Sequence, residues 1–163
     1  AQAMFENWAS DERVTRYLTW CPHESPEATK QLLELWCAAY ENPNTYNWVM
    51  EYEGTPIGNI SVVRLSEKCE YAELGYCMGY AYWNKGFMTA KAVIDYLFSE
   101  IGVNRVGISN AVKNPASGRV AQKCGLTFEG TKREYFKTST GEFLDISDYG
   151  IIRSEWENIR QEK

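Results

Sequence analysis

The sequence predicts a single mixed α/β domain, of the α+β kind, in which a largely antiparallel central sheet is flanked by helices. Its 163 residues match the length of one ordinary domain. Hydrophobic residues make up 44% of the chain and aromatic residues 14%, which is enough apolar surface for a sizeable core. The apolar spacing alternates between helical and strand periods, without an internal repeat or a linker. One mixed domain over residues 1–163 therefore accounts for the whole sequence.

The first part of the chain is predicted to be helical. Met4 and Trp8 stand about one helical turn apart, which predicts a first short helix. Ser25 is a good N-cap and Pro26 suits the first helical position, so a longer helix should begin there. Asn42 and Pro43 end this helix, because a proline disfavours the helical conformation of the residue before it.

Strands are predicted next, followed by another helix. The segment NWVMEYEGTPIGNISVVRL indicates two strands joined by a turn that begins at Glu53-Gly54. The segment EYAELGYCM indicates a third strand. Residues 90–101 have one apolar side and form a helix, which Gly102 closes.

The last third of the chain alternates between strand and helix. NRVGISN predicts a short strand, and NPASGRVAQKCG predicts a short helix. LTFEGTKREYFK and EFLDISDYGIIR predict two long strands joined by a turn at residues 139–142. The final SEWENIRQEK is predicted to be a charged tail, a frayed helix.

Charge and cysteine content narrow the functional class. The formal net charge is −5 at pH 7, which argues against nucleic acid as the main partner. Five cysteines without a CxxC pair suit free thiols in a reducing compartment and predict a cytoplasmic protein. One histidine and no close cysteine pair predict no metal site. We expect no membrane partner, since no apolar run approaches the roughly 20 residues that span a bilayer.

The stretch 71–98 contains a candidate phosphate-binding loop. A strand leads to Gly79, and the loop then turns through Lys85 and Gly86 into a helix. Gly86 would let the backbone approach a ligand, and the first N–H groups of a helix attract anions. An ordinary strand-to-helix turn explains this stretch equally well.

Four motifs together resemble the GNAT superfamily of acetyl-CoA-dependent N-acetyltransferases, and within it the RimJ/RimL-like branch. AELGY is similar to the fourth strand of the family, and YWNKGFMT to its pyrophosphate loop. NPASGRVAQKCGLTFEG is similar to its Asn-x-x-Ser helix and the strand that follows, and GEFLDISDYGIIRSEW to its terminal hairpin. By this resemblance the chain is one acetyltransferase domain that lacks the first strand of the family.

The resemblance implies where acetyl-CoA would bind as co-substrate. Its pantetheine arm would pair with the backbone of the fourth strand, where one N–H would polarise the thioester oxygen. Asn114 would lie near the pantetheine arm or thiol, with Ser117 close to it. The residues implied for acetyl-CoA are Tyr76, Cys77, Met78, Trp83, Asn84, Lys85, Gly86, Phe87, Met88, Thr89, Asn114 and Ser117.

The resemblance also indicates two catalytic candidates. Glu73 stands just before the thioester site and is the candidate general base, although a solvated strand glutamate is an equal alternative. Ser117 is the candidate general acid, and its alternative is an ordinary serine at a helix start. Cys77 and Cys124 are interpreted as packing residues, because transfer in this superfamily usually goes directly from the ternary complex.

The predicted function is transfer of an acetyl group from acetyl-CoA to a primary amine, at a protein N-terminus or in a small molecule, by a monomer or homodimer. A non-catalytic acyl-CoA sensor or interaction module of the same fold is the alternative. It stays open because Ala121 occupies the position of the tyrosine acid of other branches and Met88 that of the second small residue of the family's loop. A small domain that binds another phosphate ligand, such as a nucleotide, is a third reading. Asp145, Asp148, Tyr135 and His23 are candidates for contact with the acceptor.

Overall fold

A computed structural model describes residues 1–85 and 89–161 of the chain. These residues form two compact units. The first unit contains residues 1–61, 76–85 and 137–142, and the second contains residues 62–75, 89–136 and 143–161.

The described residues form a six-stranded, mostly antiparallel sheet in the order β1-β2-β3-β4-β6-β5. Its strands are β1 (Asn47–Tyr52), β2 (Thr55–Ser66), β3 (Tyr71–Met78), β4 (Arg105–Ala111), β5 (Thr127–Lys137) and β6 (Phe143–Ile152). β1 runs antiparallel to β2, and β4 antiparallel to β6, whereas β3 and β4 are parallel. The predicted mixed fold with a largely antiparallel sheet is confirmed.

Helices precede the sheet, interrupt it and follow it. They are α1 (Gln2–Met4), α2 (Glu12–Thr15), α3 (Pro26–Ala39), α4 (Ala90–Tyr96), α5 (Pro115–Lys123) and α6 (Arg153–Gln161). π-Helical turns at Phe5–Ala9 and Leu97–Ile101 continue α1 and α4, and a 3-10 turn at Tyr80–Tyr82 follows β3.

Local signals in the sequence account for the ends of several elements. The Ser25 hydroxyl accepts a hydrogen bond from the N–H of Ala28 at 3.2 Å, and Pro26 opens α3 as predicted. Glu53 and Gly54 have φ of 49° and 77°, which is the left-handed pair that a two-residue hairpin turn requires. Their turn joins β1 to β2 without a longer loop.

The first unit has its own apolar cluster. Met4, Trp8, Ala9 and Val14 are buried together, and partly buried aromatic and aliphatic side chains of α3 pack against them. Cys77 of β3 also packs against this cluster. Burial of these side chains stabilises the short helices before α3, which would be marginal alone.

In the second unit, alternation along β3 and β4 separates a buried face from a polar one. Ala72 lies opposite Val106, and Leu74 opposite Ile108, and all four side chains are buried. Successive strand residues point to opposite faces, so Glu73 lies on the other face of the sheet. This alternation places the polar site residues described below.

The C-terminal segment corrects one prediction, because α6 is packed and not frayed. Trp156 is buried, and its ring stacks on Phe98 with 5.0 Å between the ring centres. Its indole N–H donates to the carboxylate of Asp95 at 2.6 Å. The sequence prediction missed this packing because charged residues surround Trp156.

Candidate active site

The candidate site begins where the pairing of β3 with β4 stops. The register runs from Tyr71 opposite Arg105 to Leu74 opposite Ile108, and β4 then continues to Ala111 alongside β6. β3 also continues, to Met78. Among the described residues, Leu74 is the last residue of β3 that pairs with β4, and Glu73 comes directly before it.

Glu73 is only about 20% exposed and has partners on both carboxylate oxygens. Ser109 Oγ lies 3.0 Å from Oε1, and the Tyr71 hydroxyl donates to Oε2 at 3.3 Å. Burial, followed by the negative charge of Glu73, raises the pKa of Tyr71 to about 12, so this hydroxyl keeps its proton. The Arg64 guanidinium is 3.9 Å from Oε2. The role of Glu73 as general base stays a prediction.

A second carboxylate lies on the same polar face. Ser109 stands opposite Asp148 in the register of β4 with β6, and its Oγ is 2.9 Å from Asp148 Oδ1. The other oxygen of Asp148 is 2.9 Å from the Lys132 ammonium of β5. The resulting row of contacts joins Glu73, Ser109, Asp148 and Lys132 in the second unit.

Sequence reasoning missed Ser109 and Lys132. The alternation of NRVGISN was a usable signal for Ser109, because Val106 and Ile108 read as core residues and the serine then points to the opposite face. Its pairing with Asp148 depends on the register of two strands that are 39 residues apart in the chain.

Cys77 is a buried thiol with a hydrogen-bond partner. Its Sγ donates to Asn59 Oδ1 at 2.9 Å. Burial raises the pKa of Cys77 to about 12, and burial also raises the pKa of Cys124. Both groups therefore remain thiols near neutral pH, which supports their interpretation as packing residues.

The loop after β3 is hydrogen-bonded to the end of that strand. The Trp83 indole N–H donates to the carbonyl oxygen of Met78 at 2.6 Å. Asn84 has φ of 59°, a left-handed conformation that asparagine tolerates well. The Lys85 ammonium lies 5.9 Å from the centre of the Tyr82 ring.

Two more of the predicted acetyl-CoA residues are described, Tyr76 in the first unit and Thr89 in the second. Thr89 is the N-cap of α4, and its carbonyl accepts from the N–H of Ala92 at 3.0 Å. Tyr76 lies near the end of β3 and is half-buried. Gly86, Phe87 and Met88 of the predicted pyrophosphate loop lie outside the described residues.

An arginine that sequence reasoning passed over also contacts the loop, within the first unit. The Arg13 guanidinium lies 3.8 Å from the centre of the Tyr80 ring, and Asp11 holds it with a short ion pair of 2.6 Å. The Tyr80 ring in turn packs on Trp83, with 5.1 Å between the ring centres. Arg13 thereby supports the loop from α2.

Asn114 and Ser117 lie at the start of α5 in the second unit. The Asn114 carbonyl accepts from the N–H of Ser117 at 3.2 Å and from the side-chain amide of Asn110 at 3.1 Å. A methyl group on Gly118 would lie 2.6 Å from the Tyr149 hydroxyl, so a side chain at this position would displace the Tyr149 ring. The roles of Asn114 and Ser117 in binding and catalysis stay predictions.

The residues predicted for the acceptor are dispersed. Tyr135 and Asp145 line an open recess of about 860 Å³ together with Lys132. His23 lies in the first unit, where its Nδ1 is 2.7 Å from the buried hydroxyl of Thr29. This contact supports the interpretation of His23 as a packing residue, and its contact with the acceptor stays a prediction.

The described residues contain neither a candidate metal-binding cluster nor a candidate membrane-spanning helix. Over residues 1–85 and 89–161, no group of three or more His, Cys, Asp and Glu side chains is arranged to hold a metal ion. In the same part of the chain, no helix has the length and apolar character needed to cross a membrane.

Comparison with known proteins identifies similar sequences. Residues 1–127 match the family model described as Acetyltransferase (GNAT) domain. The "Uncharacterized N-acetyltransferase YoaA" of Bacillus subtilis (strain 168) is 32% identical over 157 residues, which cover 94% of this chain and 88% of YoaA. The "Putative ribosomal N-acetyltransferase YdaF" of the same organism is 29% identical over 152 residues, which cover 91% of this chain and 82% of YdaF.

Solved structures share the fold. The crystal structure of spermidine N-acetyltransferase from Vibrio cholerae in complex with CoA and spermine matches with a TM-score of 0.79 at 21% identity. The match covers 97% of this chain and 95% of that chain.

Proposed function

Because the chain belongs to the GNAT acetyltransferase family, we propose that it transfers the acetyl group of acetyl-CoA directly to a primary amine held in a ternary complex. The family membership makes it an acetyl-CoA-dependent acyltransferase. The direct transfer and the kind of amine, a protein N-terminus or a small molecule, are the proposal. The similarity to YdaF, by its name a ribosomal N-acetyltransferase, supports the RimJ/RimL-like branch.

The observation that carries the proposal is the environment of Glu73. Its carboxylate lies on the polar face of the sheet. Glu73 comes directly before Leu74, the last residue of β3 that pairs with β4, and β3 then continues without pairing to β4. An acceptor amine must lose a proton before it can attack, and a positioned carboxylate can take that proton. Glu73 is therefore the proposed general base.

Residues of the first unit are proposed to bind acetyl-CoA, which supplies the activated acetyl thioester. The backbone of Tyr76, Cys77 and Met78 would pair with the pantetheine amides, and one N–H would donate to the thioester oxygen. In this unit, Trp83, Asn84 and Lys85 of the predicted pyrophosphate loop would contact the pyrophosphate, with the exposed Lys85 adding a positive charge.

In the second unit, Asn114 and Ser117 are proposed to act near the thiol end of the co-substrate. During transfer, the amine nitrogen forms a bond to the acetyl carbon as the carbon–sulfur bond breaks. Glu73 would accept the proton of the amine, and Ser117 would donate a proton to the departing sulfur. Alignment of the two substrates supplies much of the remaining acceleration.

Binding and turnover can be tested separately. Acetyl-CoA and CoA should stabilise the protein against thermal unfolding, by about 2.7 kcal/mol at a concentration of about 100 times Kd, whereas ATP should not. A missing shift with acetyl-CoA would contradict the proposal. Stabilisation by ATP instead would favour a nucleotide-binding domain.

Thiol release over a panel of amines then separates an enzyme from a non-catalytic sensor. The panel should contain peptides with free N-termini, polyamines, amino acids and aminoglycosides. Release of CoA with at least one amine is expected, whereas binding of acetyl-CoA without release over the panel would favour the sensor.

Glu73→Gln should lower kcat by about 10²–10⁴-fold, the usual contribution of a general base. The matched control is Glu51→Gln, which removes the charge of an exposed strand glutamate. Equal kinetics for the two variants would remove Glu73 from the mechanism.

A further inference from the structure

Ser109 has one hydrogen to share between two carboxylates. Its Oγ lies 3.0 Å from Glu73 Oε1 and 2.9 Å from Asp148 Oδ1, and both distances are those of hydrogen bonds. A serine hydroxyl donates one hydrogen bond and accepts others. If both carboxylates are ionised, one of the two contacts sets two oxygen lone pairs against each other.

One protonation state satisfies the whole row of contacts. When Glu73 carries a proton, its O–H can donate to Ser109 Oγ. Ser109 can then donate to Asp148 Oδ1, while the Lys132 ammonium donates to Asp148 Oδ2 at 2.9 Å. Each hydrogen then has an acceptor, and the ion pair with Lys132 keeps Asp148 in the acceptor form.

The neighbouring charges also favour a proton on Glu73 and a negative charge on Asp148. Asp148 has a cation at 2.9 Å, whereas the cation nearest to Glu73 in these contacts, Arg64 of β2, is 3.9 Å away. Tyr71 of β3 donates to the other oxygen of Glu73 in either state, since its hydroxyl can donate to a carboxylate or to a carboxyl carbonyl. Asp148 is thus the better-compensated anion of the two.

We propose that Ser109 is a positioning residue that makes Glu73 a better proton acceptor, by accepting a hydrogen bond from protonated Glu73 while donating one to Asp148. This inference rests on the proposed function, in which Glu73 takes the proton of the acceptor amine. The proton moves from the amine nitrogen to Glu73 and no further. Asp148 and Lys132 fix the direction in which the Ser109 hydroxyl points.

The direct test follows the protonation of Glu73 without requiring turnover. Carbon-13 NMR of the glutamate side-chain carboxyl groups, with the Glu73 signal assigned from Glu73→Gln, gives the pH at which Glu73 is half-protonated. Ser109→Ala should lower this midpoint by about 0.7 pH unit, which is the effect of one net hydrogen bond. A water in place of the hydroxyl would act in the same direction, because its two hydrogens can serve both ionised carboxylates.

Two further variants serve as controls. Ser109→Thr keeps the hydroxyl and should keep the wild-type midpoint. Ser147→Ala removes a hydroxyl at the next residue of β6, which alternation places on the opposite face, and should also leave the midpoint unchanged. An unchanged or raised midpoint in Ser109→Ala would overturn the proposal, because a raised midpoint would mean that Ser109 mainly stabilises ionised Glu73.

Kinetics supply the second readout. With an amine that is turned over, Ser109→Ala should lower kcat by up to about 5-fold, the limit that a loss of about 0.7 pH unit in the basicity of Glu73 sets, and should move the acidic limb of the pH profile to lower pH. Ser109→Thr should restore both. If the NMR midpoint falls but Glu73→Gln leaves kcat unchanged, the proposed role of Glu73 fails while the hydrogen-bond inference stands.

Discussion

At the scale of single residues, Cys77 shows how burial decides the chemistry of a side chain. Its thiol donates to Asn59 in the apolar surroundings of the first unit, and its pKa of about 12 keeps the sulfur protonated. A protonated, enclosed thiol is a poor nucleophile. Cys21, Cys37 and Cys69 are exposed by contrast.

Thiol labelling should distinguish these cysteines. Near about pH 8, a thiol reagent should modify Cys21, Cys37 and Cys69 quickly, because these thiols are exposed and the reagent can reach them. Cys77 should react only after denaturation, as followed by mass spectrometry of peptides. Fast labelling of Cys77 in the folded protein would mean that its thiol is accessible as a thiolate.

His23 is the second residue for which burial has a measurable consequence. Its ring packs on Trp20 with 5.3 Å between the ring centres and contacts the Thr29 hydroxyl. Burial lowers the pKa of His23 below its ordinary 6.5. As the pH falls below about 6.5, the unfolded chain therefore binds the proton first, and the folded state loses stability.

Urea unfolding at about pH 7.5 and about pH 5.5 tests this effect, since the two values bracket the ordinary pKa of histidine. The wild-type protein should lose stability at the lower pH, and His23→Gln should lose less. His23 is the one histidine of the chain, so the difference between the two proteins reports its titration. Equal losses would show that His23 titrates normally in the folded state.

At the scale of elements, α6 is held by one buried aromatic side chain. Trp156 combines the stack on Phe98 with the hydrogen bond to Asp95, and Arg153 of the same helix donates to the carbonyl oxygens of Phe98 and Val103 at 2.8 Å and 2.6 Å. These contacts convert a strongly charged segment into a packed helix.

Trp156→Ala should lower the free energy of unfolding by about 3–5 kcal/mol, because it leaves a large cavity. Trp156→Phe keeps a ring and loses the indole hydrogen bond, so it should cost about 1 kcal/mol. Urea denaturation measures both, with the exposed Glu157→Ala as the control that should change little. A small loss in Trp156→Ala would mean that α6 contributes little to stability.

β2 is packed tightly against β3 within the first unit. A methyl group on Gly58 would overlap the carbonyl oxygen of Cys77 and lie 2.9 Å from the Cα atom of Met78. The absence of a side chain at Gly58 thus sets the position of the β3 backbone, which is the segment proposed to bind the pantetheine arm.

Gly58→Ala should displace this backbone and cost about 1–3 kcal/mol of stability, the usual effect of overpacking. It should also raise the Kd for acetyl-CoA, measured by isothermal titration calorimetry. Thr55→Ala, at an exposed position of the same strand, should alter neither value. If Gly58→Ala loses stability but binds acetyl-CoA normally, the proposed role of the Cys77–Met78 backbone is wrong.

At the scale of the whole molecule, net charge is the property with a functional consequence. The formal charge of −5 attracts cations and repels polyanions over a distance that salt shortens. It therefore favours cationic ligands over nucleic acid.

The KM for a polyamine should consequently rise with ionic strength, by up to about 10-fold between dilute buffer and roughly 0.2 M salt. The KM for a monoamine without other charged groups should rise less. The KM for each of the two amines is measured from the release of CoA. Equal salt dependence for the two acceptors would mean that the molecular charge does not guide them.

The sequence predicted local elements well because their signals are local. Ser25 and Pro26 mark the start of α3, and Gly102, with φ of 80°, ends the helical stretch before β4. The frayed C-terminal tail was a wrong prediction, since Trp156 and Ile159 are only two apolar residues among charges and polar groups, too few to predict a packed helix. The partners of Trp156, Phe98 and Asp95, lie 58 and 61 residues away in the chain, too far for a local sequence pattern to reveal them.

The sequence by itself determined the order of the elements, the family and the residue types of the candidate site, because periodicity, caps and turn residues act between near neighbours. The tertiary structure alone decided which polar groups meet. The pairing of β4 with β3 and β6 brings Glu73 and Asp148 to one serine, and burial decides that the Cys77 thiol stays protonated. Strand register and burial depend on the packing of the whole chain, and this is why the candidate base could be predicted but the hydroxyl beside it could not.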